Sequence, residues 1–315
     1  MTSATSNTHA RGVALCLLSA VGFGLMAIFA KEAYRSGVSV TTLLAVRFAI
    51  AAGAFWAIVA ARRTTTPARA TILAGLALGG VGYAAEAGAF FAALTRLDAS
   101  LASLLLYTYP ALVFAAAVAL RRERADRRRL AALALASGGA VLVLAGGGTG
   151  TLDPLGVALA FGAALSYATY ILLADRVLNR ADPFVLSALI ATGAATSFTA
   201  VGAITGSLEL SFTATGWLWI AALALVSTVV AISAFLVGLP KVGPATASIV
   251  STIEPVVTVG LAMVFLGERL GAVQAGGGAL VLSAVILLAA KVRQRDPAAQ
   301  PPAATPARAL ASQPA

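Results

Sequence analysis

The chain is short of charge. Of its 315 residues only 11% are Asp, Glu, Lys or Arg, where a soluble domain carries about 25%. So few charges cannot cover the surface of a soluble protein of this size. With 60% hydrophobic residues, an integral membrane protein is the expectation, and a disordered chain or a coiled coil is excluded. There is one cysteine, Cys16, inside an apolar run. No intrachain disulfide can form, and Cys16 reads as a small hydrophobe. There is one histidine, His9, in the polar first ten residues. That argues against His-dependent hydrolysis and His-based metal sites. Neither Gly-x-x-x-x-Gly-Lys-Ser/Thr nor His-Glu-x-x-His occurs, which excludes an ATP-binding loop of that type and a zinc-protease helix. No redox cofactor has a ligand set. The expectation is therefore no cofactor, no metal and no enzyme activity.

What is present is a succession of apolar runs. Ten segments, residues 12–30, 40–60, 71–94, 100–120, 130–145, 155–177, 184–205, 216–239, 245–266 and 272–290, read as membrane-crossing helices. Their lengths cluster near the roughly 20 residues needed to cross about 30 Å of hydrocarbon. Between them stand turn and charge signals such as Arg62-Arg63, Asp153-Pro154, Asp182-Pro183 and Gly243-Pro244. A removed signal peptide does not fit a first run followed by nine others. Residues 1–11 read as an N-terminal tail, and 293–315, rich in Pro, Ala and Gln, as a disordered one.

The charges sort by side. With the N-terminus placed in the cytoplasm, seventeen of the 22 Lys and Arg residues fall on the inner side and four on the outer, with Arg47 left inside a span. This is the positive-inside pattern. The net charge of +10 thus reports orientation in the cytoplasmic membrane, with both termini inside, and not a nucleic-acid partner. Trp217 and Trp219 fall at the outer end of the eighth span, where interfacial anchors belong.

The two halves repeat. Gly12-Val13-Ala14-Leu15 recurs 144 residues later as Gly156-Val157-Ala158-Leu159. A shift of 145 aligns Phe90 with Phe235, Arg96 with Lys241, Ala102-Ser103 with Ala247-Ser248, Pro110 with Pro255 and Arg122-Glu123-Arg124 with Gly267-Glu268-Arg269. Each half holds five spans, and an odd number makes the second half enter from the opposite face. The fold class expected is an all-α membrane protein of ten helices in a 5+5 inverted repeat, residues 12–146 and 154–292. Inverted repeats are typical of secondary transporters with a midplane site between the halves.

Several stretches carry a family likeness. They are 100–105 leading to Pro110, then Arg122-Glu123-Arg124, and 245–249 leading to Glu254-Pro255, then Gly267-Glu268-Arg269-Leu270 and Gln274. With Lys31 closing the first span and Arg47-Phe48 in the second, the chain resembles the EamA family of the drug/metabolite transporter superfamily over residues 12–292. The resemblance implies that spans one to four and six to nine line a cavity, that five and ten lie outside it, and that transport runs outward. Arg122 in place of the second half's Gly267, and the very basic run 121–129, depart from the pattern.

Ionisable residues within spans are costly and mark functional candidates. Tyr83, Glu86 and Phe90 share one face of the third span. Glu86 could hold an amine or a coupling proton, or hydrogen-bond to a neighbouring helix. Glu254 precedes Pro255, which frees a carbonyl and can bend the ninth span; the resemblance implies that Glu-Pro is common at this place in the family, so Glu254 could contact substrate or serve a general structural or gating role. Pro110 is the partner of Pro255 in the first half, and both are helix-break or gating candidates. Arg47 could snorkel outward, pair with Glu86 or Glu254, or bind an anion. Tyr107, Tyr167 and Tyr170 suit a partly apolar cargo. The function expected is secondary active transport of small organic metabolites, amino acids or their derivatives, across the bilayer with protons as a possible coupling partner. An uncoupled facilitator and a non-transporting assembly or sensor protein are the alternatives.

Overall fold

A computed structural model describes residues 2–120, 127–146, 152–178 and 181–289. The motif Arg122-Glu123-Arg124 and the tail 293–315 lie outside them. Among the described residues the chain is helical, without strands. Seven helices are long and apolar enough to cross a membrane: α1 (Thr8–Arg35), α2 (Val40–Arg62), α3 (Arg69–Ala93), α4 (Ala99–Ala119), α6 (Pro154–Ala174), α7 (Pro183–Thr205) and α8 (Ala214–Gly243). Three shorter apolar helices complete the ten: α5 (Leu130–Ala145), α9 (residues 244–266, with Ile253–Leu266 as its apolar half) and α10 (Ala272–Leu287). Helix α1 itself begins at Thr2, so the polar residues read as a tail extend the helix.

The punctuation acts as expected. Ser39 caps α2 by accepting from the Thr42 N–H, and Asp182 caps α7 by accepting from Phe184 and Val185. Asp153 does the same for α6 through Leu155 and Gly156. Gly243, at φ 78°, breaks α8 from α9, a left-handed conformation that glycine adopts without steric cost.

The repeats pack as mirror pairs. Helix α1 lies along α8 as α6 lies along α3, while α2 meets its counterpart α7 and α5 meets α10. The glycines show how close the pairs come. A Cβ at Gly12 would stand 2.7 Å from the Lys241 Cβ, and one at Gly156 would stand 2.9 Å from the Arg96 Cβ. Lys241 and Arg96 are the residues the repeat equates. Gly139 and Gly277 each face the other's carbonyl, at 2.7 and 2.6 Å from a built Cβ. Small residues bring membrane helices into this contact, where packing stands in for a hydrophobic drive.

Two of the irregularities are duplicated too, though the π-helical turn Ala262–Leu266 of α9 has no counterpart among the described residues. The third helix of each repeat carries a π-helical turn, Leu78–Tyr83 in α3 and Leu225–Val230 in α8. The fourth breaks at Tyr107–Thr108 in α4 and at Thr252 in α9. In each case the second segment starts just ahead of the proline, Pro110 or Pro255.

Candidate functional site

Loops gather at two ends of the bundle. One, the Gly37 end, holds the α1–α2, α3–α4, α7–α8 and α9–α10 connections. The other, the Arg63 end, holds the α2–α3 and α8–α9 connections and the start of α7. The Gly37 end is closed by polar links over buried side chains. Lys31 Nζ donates to the Leu97 carbonyl (2.6 Å), and the Tyr34 hydroxyl to that of Phe91 (3.0 Å). Glu268 accepts from the backbone N–H groups of Ala99 and Ser100 and from the Ser100 hydroxyl, at 2.7, 2.9 and 2.6 Å. These are orphan donors of the α4 N-terminus, so the carboxylate caps a helix 168 residues away in sequence. Outside the membrane-spanning segments, burial, then nearby Glu268, pushes Asp98 above its ordinary value, opposed by Lys31.

Beneath this closure lies a cavity of about 270 Å³. Its lining comes from α1–α4 and α6–α9, and α5 and α10 contribute none of it. It runs to Leu236 and Ser187 and to Pro183, which is exposed, so it reaches the surface at the Arg63 end. All eight side chains singled out in the sequence as binding candidates, Arg47, Tyr83, Glu86, Phe90, Tyr107, Tyr167, Tyr170 and Glu254, face this one cavity. Pro110 and Pro255 do not line it. They stand behind it, at the helix breaks.

Arg47 departs from what its position suggested. It does not snorkel: it is 1% exposed. Nor, among the described residues, does it form an ion pair with Glu86 or Glu254. Its Nε donates to the Thr228 hydroxyl (2.9 Å), Nη2 contacts the Met26 sulfur (3.7 Å), and Tyr83 lines the same cavity. The guanidinium carbon lies 4.8 Å from the Phe48 ring centroid and 5.0 Å from that of Phe91, both within cation–π range. The physical reason is burial. In a low-dielectric core a cation is held by the acceptors and ring faces that surround it, and here these are a hydroxyl, a thioether sulfur and two aromatic rings. Thr228, which sequence reasoning missed, belongs to the π-helical turn of α8 and donates its own proton to the Leu223 carbonyl (3.0 Å). Its 145-residue partner in the repeat is Tyr83, so Arg47 shares the cavity with two equivalent positions.

Glu86 is 8% exposed and Glu254 half-buried. The Tyr107 hydroxyl donates to the Ser251 carbonyl (3.1 Å). That carbonyl stands four residues before Pro255, which has no N–H to offer it. Tyr107 therefore satisfies the group the proline frees, and Glu254 stands within reach of the same phenol. Across the floor the aromatic rings run in series. Tyr107 meets Tyr109 at 5.9 Å, Tyr109 meets Tyr167 at 4.6 Å, Tyr167 meets Tyr170 at 6.0 Å and Tyr170 meets Tyr83 at 5.5 Å.

A ten-helix bundle with a central, largely apolar cavity that holds three ionisable side chains between inverted halves is a transporter's geometry, and the sequence comparisons agree. The family model for "EamA-like transporter family" matches twice, over residues 10–145 and 154–290. The chain belongs to the EamA-like transporter family. It is a multi-pass membrane transporter. A Bacillus subtilis (strain 168) protein described as "Uncharacterized transporter YcbK" is 26% identical over 284 residues, covering 85% of this chain and 89% of its own. A solved structure described only as "Crystal structure of protein" superposes with a TM-score of 0.63 over 90% of this chain and 98% of its own. At 19% identity that likeness speaks for the fold alone.

Proposed function

We propose that this EamA-family protein is a secondary active transporter that carries small organic metabolites, amino acids or their derivatives, by alternating access. The observation that carries the reading is the asymmetry of the cavity. It is closed at the Gly37 end by Lys31, Tyr34 and Glu268 and reaches the surface at Pro183 on the Arg63 end. Two inverted halves, residues 12–146 and 154–292, can exchange conformations. That exchange gives a second state closed at the Arg63 end. The Arg63 end bears the excess of Lys and Arg and is therefore placed in the cytoplasm, with both termini on that side of the cytoplasmic membrane. Cargo loads there and leaves at the Gly37 end, which is export. The paired breaks ahead of Pro110 and Pro255 supply the hinges. Glu86, buried at the cavity wall, is the proton-coupling group.

The test is metabolite flux in proteoliposomes with an imposed pH gradient. Gradient-driven, saturable transport that shows counterflow is the expected result. Flux that neither saturates nor shows counterflow would indicate an uncoupled facilitator. Full gradient-driven transport by Glu86→Gln would remove the coupling role from Glu86.

A further inference from the structure

The cavity holds two carboxyl groups and one guanidinium, and they are not evenly matched. Arginine stays charged under all ordinary conditions. Arg47, the one basic residue among the described residues that line the cavity, is already engaged by Thr228, by Met26 and by the faces of Phe48 and Phe91, none of them on α9. No lysine or arginine among the described residues stands beside Glu254. It stands one helical turn from Ser251, whose carbonyl takes the Tyr107 hydroxyl at 3.1 Å, and shares the cavity wall with Tyr83, Glu86 and Tyr107. With all three groups ionised the cavity carries one negative charge too many, and Glu254 is where it lies. An isolated buried charge is costly unless it is paired.

We propose that the cargo is an organic monocation, an amine or quaternary ammonium on an apolar or aromatic body with no free carboxylate, and that its charged head lodges against Glu254. The surroundings suit such a head. Tyr107 and Tyr167 line the cavity, with the Tyr109 ring packed between them at 5.9 and 4.6 Å. Aromatic walls with a nearby carboxylate recognise ammonium groups through ring quadrupoles and charge. The lining beyond, including Phe48, Phe90 and Ile190, is apolar and receives the body. A zwitterion would bring its own carboxylate beside Glu86 and Glu254 and leave the excess charge uncompensated. An anion would double it. This inference rests on the transporter reading above and narrows its cargo to amines lacking the acid group.

The probes are four molecules of one shape and different charge: phenethylamine, phenylalanine, phenylacetate and 2-phenylethanol, with benzyltrimethylammonium added for the quaternary case. Binding to the purified full-length protein in detergent is followed by calorimetry. The two cations should bind about tenfold or more tightly than phenylalanine, with phenylacetate weaker still. Glu254→Gln should lose about tenfold or more of the cation affinity while leaving 2-phenylethanol binding unchanged, which reports an intact cavity. Glu254→Asp should recover part of the loss.

Phenylalanine or phenylacetate binding as tightly as phenethylamine overturns the proposal. So does undiminished cation affinity in Glu254→Gln, or no binding by any cation. Gradient-driven phenylalanine flux without cation binding would defeat the cargo assignment and leave the transporter reading standing. Cation binding at Glu254 without flux of any metabolite would do the reverse.

Discussion

In the first repeat α4 breaks at Tyr107–Thr108 ahead of Pro110, and α3 carries a π-helical turn at Leu78–Tyr83. In the second, α9 breaks at Thr252 ahead of Pro255, and α8 carries its turn at Leu225–Val230. These breaks and turns of one repeat recur in the other, whereas the π-helical turn Ala262–Leu266 of α9 and the interruption of α1 at Leu25 have no counterpart among the described residues. The charges do not recur. Arg47 and Glu86 belong to the first repeat alone and Glu254 to the second, where the matching place in the first is Tyr109. Features needed twice, once for each face of the membrane, have been kept twice. On the proposed function, the charges that occur once are those offered to a cargo, which sits in one place and has one shape. Arg47 joins the two schemes, since it shares the cavity with the equivalent positions Tyr83 and Thr228 and donates to Thr228.

Disturbing the single-copy charge should have the largest effect. Arg47→Leu leaves the Thr228 hydroxyl without its donor and the Phe48 and Phe91 faces without their cation. Losing a buried hydrogen bond made by a charged group costs about 1.5–3 kcal/mol, and the lost ring contacts add to it, so thermal unfolding in detergent should show a steep loss of folded protein, with Arg47→Lys intermediate.

The duplicated scaffold should respond in duplicate. Gly12→Val and Gly156→Val both push a side chain against the Cβ atoms of Lys241 and Arg96, at about 1–3 kcal/mol each for overpacking. Equal drops in the unfolding midpoint support equivalent crossings, and a drop confined to one would break the symmetry.

Next in size is the cap across the Gly37 end. Glu268→Ala uncovers the Ala99 and Ser100 N–H groups and should cost about 1 kcal/mol. The same midpoint measurement checks it, and cation-over-zwitterion selectivity should be untouched.

The smallest effect is a titration. Asp153 is held below its ordinary range by the Arg96 hydrogen bond first and by the Gly156 and Leu155 N–H groups after it. A depressed carboxyl stabilises the fold above its unfolded value, near 3.9, and loses that contribution as pH falls through the lower folded value. The cap on α6 should therefore persist in mild acid, read as exchange protection of the Leu155 and Gly156 amides. The first repeat has His9 at the matching position and no such cap, and α1 runs on to Thr2.

The spans, the repeat and the cavity residues were legible in the sequence for one reason. Within a bilayer every backbone group must be bonded internally and every charge must earn its place, so helices show as apolar runs and Arg47, Glu86 and Glu254 stand out. What stayed hidden depends on contacts far apart in sequence. Glu268 reads as part of a family ending until it is seen on the α4 N-terminus. Thr228 is one hydroxyl among many until Arg47 reaches it across 181 positions. The π-helical turns leave no periodic signature, because a single added residue in a uniformly apolar helix shifts nothing that hydropathy can register. Arg47 was visible as a charge but not as a charge already held by Thr228, Met26, Phe48 and Phe91.

The exchange of open ends can be measured directly. With the buried Cys16 replaced by Ala, single cysteines are placed at Ser187→Cys, toward the Arg63 mouth, and Ser103→Cys, below the Gly37 closure. Each is challenged with a membrane-impermeant maleimide from either face of sealed vesicles. Alternating access predicts that Ser187→Cys reacts from the Arg63 side while Ser103→Cys is protected from the Gly37 side, and that conditions exposing Ser103→Cys to the Gly37 side protect Ser187→Cys. Simultaneous reaction of both sites from opposite faces, under every condition, would mean a continuous pore and would contradict the two-state exchange of the repeats.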